Sequence, residues 1–329
     1  MSSHEQRQPL LPFYVFTNKP PHLPLKRDIL ATLAYFDLFD YPLTQTEIFS
    51  FLGKLYSHEE FVDSLNALTS ENQVCRFGDF YSLQDNYELL HRRLKGNLKA
   101  RKTMEKAQQI AGFLSNFPFV RGIAVSGSLS KNFADENSDI DFFIITAKNR
   151  LWLARTFMHL FKKFTFLVKK QDWFCMNYYI DEEELQIREQ NIYTAIEVVT
   201  LIPIRGIEPF GAFYAANTWS KEFLPNYGMK VSYLQAIGRP FLKKLVEVIL
   251  DHTVAGLLDS SLMKMTSQRW AIKTKNRKRN KRGCILSMDA GKHYAKPHPE
   301  SFQKDLISRY EKKLFLLLRS YDNKIQTFY

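Results

Sequence analysis

Cysteine is scarce in this chain of 329 residues: Cys75, Cys175 and Cys284 are an odd set, far apart and without metal-ligand spacing. That excludes a disulfide-stapled secreted scaffold and predicts reduced thiols in a cytoplasmic protein. No uncharged apolar stretch reaches the roughly 20 residues that a bilayer span requires. Met1 to Pro24 lacks the cationic start, apolar core and small-residue cleavage site of a secretory leader, so the expectation is no export. Its prolines predict an extended arm over 1–24. Carboxylates are outnumbered, 34 Asp and Glu against 46 Lys and Arg, for a formal charge of +12. Such a balance favours phosphate-bearing or polyanionic partners without choosing among them. With 45% hydrophobic residues and 27 Phe the chain is no disordered polyelectrolyte. It is long enough for two or three compact units, and it shows no internal repeat.

What is present concentrates between Val125 and Thr146. An apolar strand ending at Val125 runs into a Gly127-Ser128 turn, and a second strand opens with Asp139-Ile140-Asp141. Strand positions i and i+2 share a face, so Asp139 and Asp141 project together while Ile140 points the other way. Paired carboxylates at a strand edge repel unless they hold a hard cation through oxygen, with Mg²⁺ expected where phosphates are present. Gly lets backbone approach a ligand closely, and the N–H groups after it attract phosphate. The bland alternative is two solvated loop acids, which would need the alternation, the Gly-Ser turn and both apolar strands to coincide.

This constellation resembles the DNA polymerase β-like nucleotidyltransferase superfamily, in which a Gly-Ser turn precedes a D-x-D strand; Ser138-Asp139-Ile140-Asp141 is the form seen in many small bacterial members. The resemblance covers roughly residues 118 to 205. It implies transfer of a nucleoside monophosphate from an NTP to an acceptor, with pyrophosphate leaving. Asp139 and Asp141 would be catalytic and hold two Mg²⁺ ions, while Gly127, Ser128 and Lys131 would bind the triphosphate. Active relatives add a third carboxylate from a later strand. Here that strand reads Cys175-Met176-Asn177, an amide that cannot take a proton at neutral pH. Asp172, Asp181 and Glu197 are the nearest substitutes. The function expected is therefore a Mg²⁺-dependent nucleotidyltransferase acting on a small molecule, an RNA end or a protein side chain. The alternative is a nucleotide-binding regulatory protein that has lost turnover and contacts a partner through its N-terminal unit.

That N-terminal unit, 25–84, reads as three short helices and a hairpin, hence winged-helix-like. Thr44 to Glu47 and Ser57 to Glu60 are capping boxes that start its second and third helices, and Gly78-Asp79 suits a two-residue hairpin turn. The third helix offers Glu59, Glu60, Asp63 and Glu71 and no Lys or Arg, which argues against duplex DNA recognition through it. Residues 85–118 predict a connecting basic helix, with Gly96 as a break or a close-packing point; its cations either border the site or are merely solvated. Leu151 to Val168 predicts a helix covering the core sheet, the alternative being a membrane-surface helix. The fold class expected is α+β: a small mixed-sheet core at 119–205 flanked by helices, the winged-helix-like domain before it, and a helical region at 206–329. Within the last, seven cations crowd Lys273 to Arg282, a run either solvated or bound to a phosphate-rich acceptor such as RNA. His293 and His298 read as surface residues or minor substrate contacts.

Overall fold

The structure is a computed structural model and describes residues 23–136, 138–165, 175–228, 234–238, 240–250, 253–276, 288–297 and 300–327. Helix α1 (Leu23–Asp37) buries Ile29, Leu30, Leu33 and Phe36 at helical spacing. Strand β1 (Leu43–Thr44), helices α2 (Gln45–Ser50) and α3 (His58–Ser70), and strands β2 (Cys75–Phe77) and β3 (Phe80–Ser82) follow. Both capping boxes form: Glu47 N–H donates to Thr44 Oγ1 at 3.2 Å and Glu60 N–H to Ser57 Oγ at 3.2 Å. Each such cap contributes about 1 kcal/mol. Gly78 takes φ +62°, which the two-residue hairpin turn needs, and β1-β3-β2 make an antiparallel sheet. Glu59, Glu60 and Asp63 lie exposed along α3.

Helix α4 (Glu88–Leu114) runs unbroken through Gly96. A Cβ at Gly96 would stand 2.3 Å from the Phe133 ring, so this glycine admits an aromatic side chain rather than ending the helix. The core sheet follows: β4 (Val120–Val125), the single helical turn α5 (Gly127–Ser130), β5 (Asp141–Thr146), α6 (Leu151–Thr165), β6 (Cys175–Asp181), α7 (Ile192–Thr200) and β7 (Ile202–Arg205). β5 and β6 run parallel, joined through α6, while β4 pairs antiparallel with β5 and β7. Alternation splits the core in two. Ile123, Val125, Phe142 and Ile144 join α4 and α6 on one face; Ala124, Phe143 and Ile145 join α7 and the N-terminal unit on the other. Trp152 and Met158 are fully buried, so α6 covers the sheet as expected.

Beyond β7 come α8 (Ile207–Ala216), α9 (Ser220–Phe223), α10 (Phe241–Ile249) and α11 (Thr253–Lys275). The region expected to be helical also contains a hairpin, β8 (Met288–Ala290) and β9 (Tyr294–Pro297), which extends the core sheet to the order β7-β4-β5-β6-β9-β8. The hairpin corrects the reading of His293: its Nδ1 lies 3.0 Å from both oxygens of the fully buried Asp181, and the imidazole is largely covered. Helix α12 (Glu300–Thr327) returns along α1, tied by Arg27 to Asp322 and Lys313 to Asp37. Of the basic run, residues 277–282 lie outside the described residues, as do His298 and the arm before Leu23. The architecture is mixed α+β, a sheet core flanked by helices. Among the described residues no helix is long and apolar enough to cross a membrane.

Candidate active site

The site is built where β4 stops and β5 starts. Ser126 N–H donates to the Asp141 carbonyl at 2.9 Å, which continues the β4–β5 ladder and sets the two motifs side by side. Gly127 then adopts φ +67°, a left-handed conformation that strains any L side chain. A Cβ on it would fall 2.6 Å from Asp141 Oδ2, so the carboxylate lies directly over the glycine. Asp139 and Asp141 are half-buried and flank the buried Ile140. All four motif residues, Gly127, Ser128, Asp139 and Asp141, line one cavity of about 400 Å³ together with Lys131. The β5 strand begins at Asp141, leaving Asp139 in the residues just before it.

Lys131 follows α5 and folds back: its Nζ donates to the Gly127 carbonyl at 3.1 Å and to Glu197 Oε1 at 2.7 Å. Glu197 projects from α7 into the same cavity, as does Tyr193 one turn earlier. Burial, with the Glu197 and Asp141 carboxylates adding to it, pushes the Tyr193 phenol up. Of the other third-position candidates, Asn177 does not line the cavity. The β5–β6 register jumps from Phe142–Met176 to Phe143–Tyr178, and Asn177 is the extra residue of that bulge. Asp172 lies outside the described residues. Asp181 sits opposite Thr146, at the far end of β5 from Asp141 and about 17 Å away at strand spacing. It accepts from Asn149 N–H and faces His293, a structural role. The position beside Asp141 on β6 belongs to Cys175, whose thiol burial and the adjacent Asp141 push up to about 12.

The rest of the lining was not anticipated. Tyr35, Phe36, Phe39 and Tyr41 come from the N-terminal unit, Phe133 from the loop after α5, and Phe302 from α12. Of the cations of α4, Arg92 lines the cavity: it stacks 4.6 Å over Phe133 and donates to the Phe39 and Asp40 carbonyls. The Tyr41 hydroxyl donates to the Lys131 carbonyl, and its ring lies 3.8 Å under the buried Arg93 guanidinium. The only advance signal was the aromatic density of residues 35 to 41.

Residues 106–216 match the family described as Nucleotidyltransferase domain. The chain carries a nucleotidyltransferase domain. The match spans about a third of the chain, from within α4 to the end of α8, wider than the 119–205 read from sequence. No curated protein and no solved structure matches the chain. The nucleotidyltransferase domain contains Gly127, Ser128, Lys131, Asp139, Asp141 and Glu197, whereas Arg92, Phe302 and the aromatics at 35–41 lie outside it. As a cation site the domain offers two carboxylates; among the described residues no group of three or more His, Cys, Asp or Glu is placed to hold a metal. Two carboxylates completed by substrate phosphate oxygens and water are a normal donor set for Mg²⁺. A second ion would need a further donor.

Proposed function

We propose that this domain transfers a nucleoside monophosphate from an NTP to an acceptor hydroxyl bound in the 400 Å³ cavity. The observation that carries the reading is the contact between Asp141 and Gly127, which turns the acid pair and the phosphate-binding bend toward one space. Asp139 and Asp141 would hold Mg²⁺, which would supply charge neutralisation on the triphosphate and a lowered pKa for the attacking hydroxyl. Gly127 and Ser128 receive phosphate oxygens through backbone N–H groups and the Ser hydroxyl, and Lys131 adds an ammonium. The aromatic side chains opposite the acids supply flat apolar surface for a ring of the nucleotide or of the acceptor.

The N-terminal unit belongs to this site as a wall. We take it as winged-helix-like from its element order, with α3 too acidic for duplex DNA. The protein is read as cytoplasmic. A second reading, a nucleotide-binding regulator without turnover, is favoured by one observation: β6 places a thiol beside Asp141 where active relatives place an acid. Incubation with each labelled NTP, Mg²⁺ and cell extract, following pyrophosphate and label transfer, separates the two. The enzyme reading expects release that Asp141→Ala abolishes. Tight NTP binding without release across the extract supports the regulator instead.

A further inference from the structure

Among the described residues, the lining of the cavity holds two cations, and one of them already has an acid for a partner. Arg92 is engaged with carbonyls of the N-terminal unit, while Lys131 bonds Glu197. Four carboxylates share the space: Asp135, Asp139, Asp141 and Glu197. A triphosphate seated on the 127–128 bend therefore meets one ammonium within a helical turn, and must compete with Glu197 for it. A lysine head is a point charge with three donors on a flexible stem, so it can change partners without backbone movement. Glu197 and Tyr193 are four residues apart on α7 and present the same face to the cavity.

We propose that nucleotide binding exchanges the partners of Lys131: the triphosphate takes the ammonium, and the released Glu197 carboxylate accepts the proton of the attacking hydroxyl. The proposal rests on the nucleotidyl-transfer reading above. In the step itself the acceptor oxygen bonds to the α-phosphorus and the bond from that phosphorus to the bridging oxygen breaks. Pyrophosphate leaves with the electron pair, and the hydroxyl proton goes to Glu197. Until nucleotide arrives the same carboxylate is held by the Lys131 ammonium at 2.7 Å. The site thus withholds its base from water until the substrate is seated. An acid supplied by α7 also frees the β6 position beside Asp141, which explains how Cys175 can stand there.

The test compares wild type, Glu197→Gln and Lys131→Gln. Each is titrated calorimetrically with ATP, GTP, CTP and UTP and with inorganic tripolyphosphate, and pyrophosphate release is followed alongside. Glu197→Gln is expected to bind both the preferred nucleotide and tripolyphosphate about fivefold tighter, because Lys131 no longer has to leave a carboxylate. Its pyrophosphate release is expected to fall by about 10²-fold or more. Lys131→Gln is expected to bind about tenfold more weakly. A merely structural ion pair predicts the opposite for Glu197→Gln, so unchanged or weaker binding by a variant that melts like wild type overturns the exchange. Tighter binding with undiminished release overturns the assignment of Glu197 as base. If wild type binds none of the four nucleotides, nucleotidyl transfer itself fails, a result distinct from either.

Discussion

Replacing Gly127 by alanine tests the geometry on which the site depends. The added Cβ would stand 2.6 Å from Asp141 Oδ2, and ordinary contact begins near 3.4 Å, so one of the two groups must yield by about 0.8 Å. The backbone cannot relax freely, because φ is +67° and Ser126 is bonded to the Asp141 carbonyl. Holding alanine in that conformation costs about 1–2 kcal/mol of stability. A displacement approaching 1 Å at a reacting centre costs about 10²-fold in rate, or about 2.7 kcal/mol of barrier. Gly127→Ala should therefore remain mostly folded yet release pyrophosphate about a hundredfold more slowly. Gly206→Ala is the control: φ is +96° there and a Cβ would meet the Arg121 carbonyl at 2.3 Å, but the residue does not line the cavity. It should lower stability while leaving the rate per folded molecule near wild type. Gly127→Ala activity within threefold of wild type, with an unchanged folded fraction, would mean that the bend does not position Asp141 for chemistry.

Two further outcomes concern the frame of the site. Arg93 is 2% exposed, pairs with Glu47 at 2.6 Å, lies over Tyr41, and burial pushes its pKa down to about 9. Arg93→Met should destabilise by about 2–3 kcal/mol in urea melts, below the roughly 3–5 kcal/mol for breaking a fully buried pair because Glu47 keeps some solvent; an unchanged midpoint would refute this. Burial, with Arg155 and nearby lysines, pushes His159 down to about 3, whereas an unfolded imidazole takes its proton near 6.5. Protonation then favours the unfolded chain as the pH falls through 6.5 toward 3. His159 should remove about 1–2 kcal/mol of stability between pH 7 and pH 5. His159→Phe should flatten that slope, and equal slopes in the two proteins would sink the argument.

The parts of this molecule legible in advance were those whose chemistry is local. A capping box needs four residues, the Gly78 turn two, and the 127–141 constellation a single strand-turn-strand, so each declares itself within a short window. Asp139 and Asp141 do line one cavity, but Asp139 precedes β5, so the strand period expected to align them does not reach it. The β8–β9 hairpin could not be seen, since its strands are short and β9 joins the sheet by pairing with β6, more than a hundred residues earlier. The same long range hid the aromatic wall, whose members come from 35–41, 133, 193 and 302. Nearness in sequence also misled. Asp181 is the last residue of the strand that should supply an acid, and the length of that seven-residue strand carries it to the end opposite Asp141.

The late arrival of that hairpin has a consequence for biogenesis. Until residues 288–297 leave the ribosome, β6 presents an open edge with unpaired backbone groups, and Asp181 lacks the imidazole that faces it. A nascent or prematurely terminated chain would keep that rim available to any passing strand, so nonsense products ending before Met288 should accumulate as inclusion bodies rather than as soluble fragments.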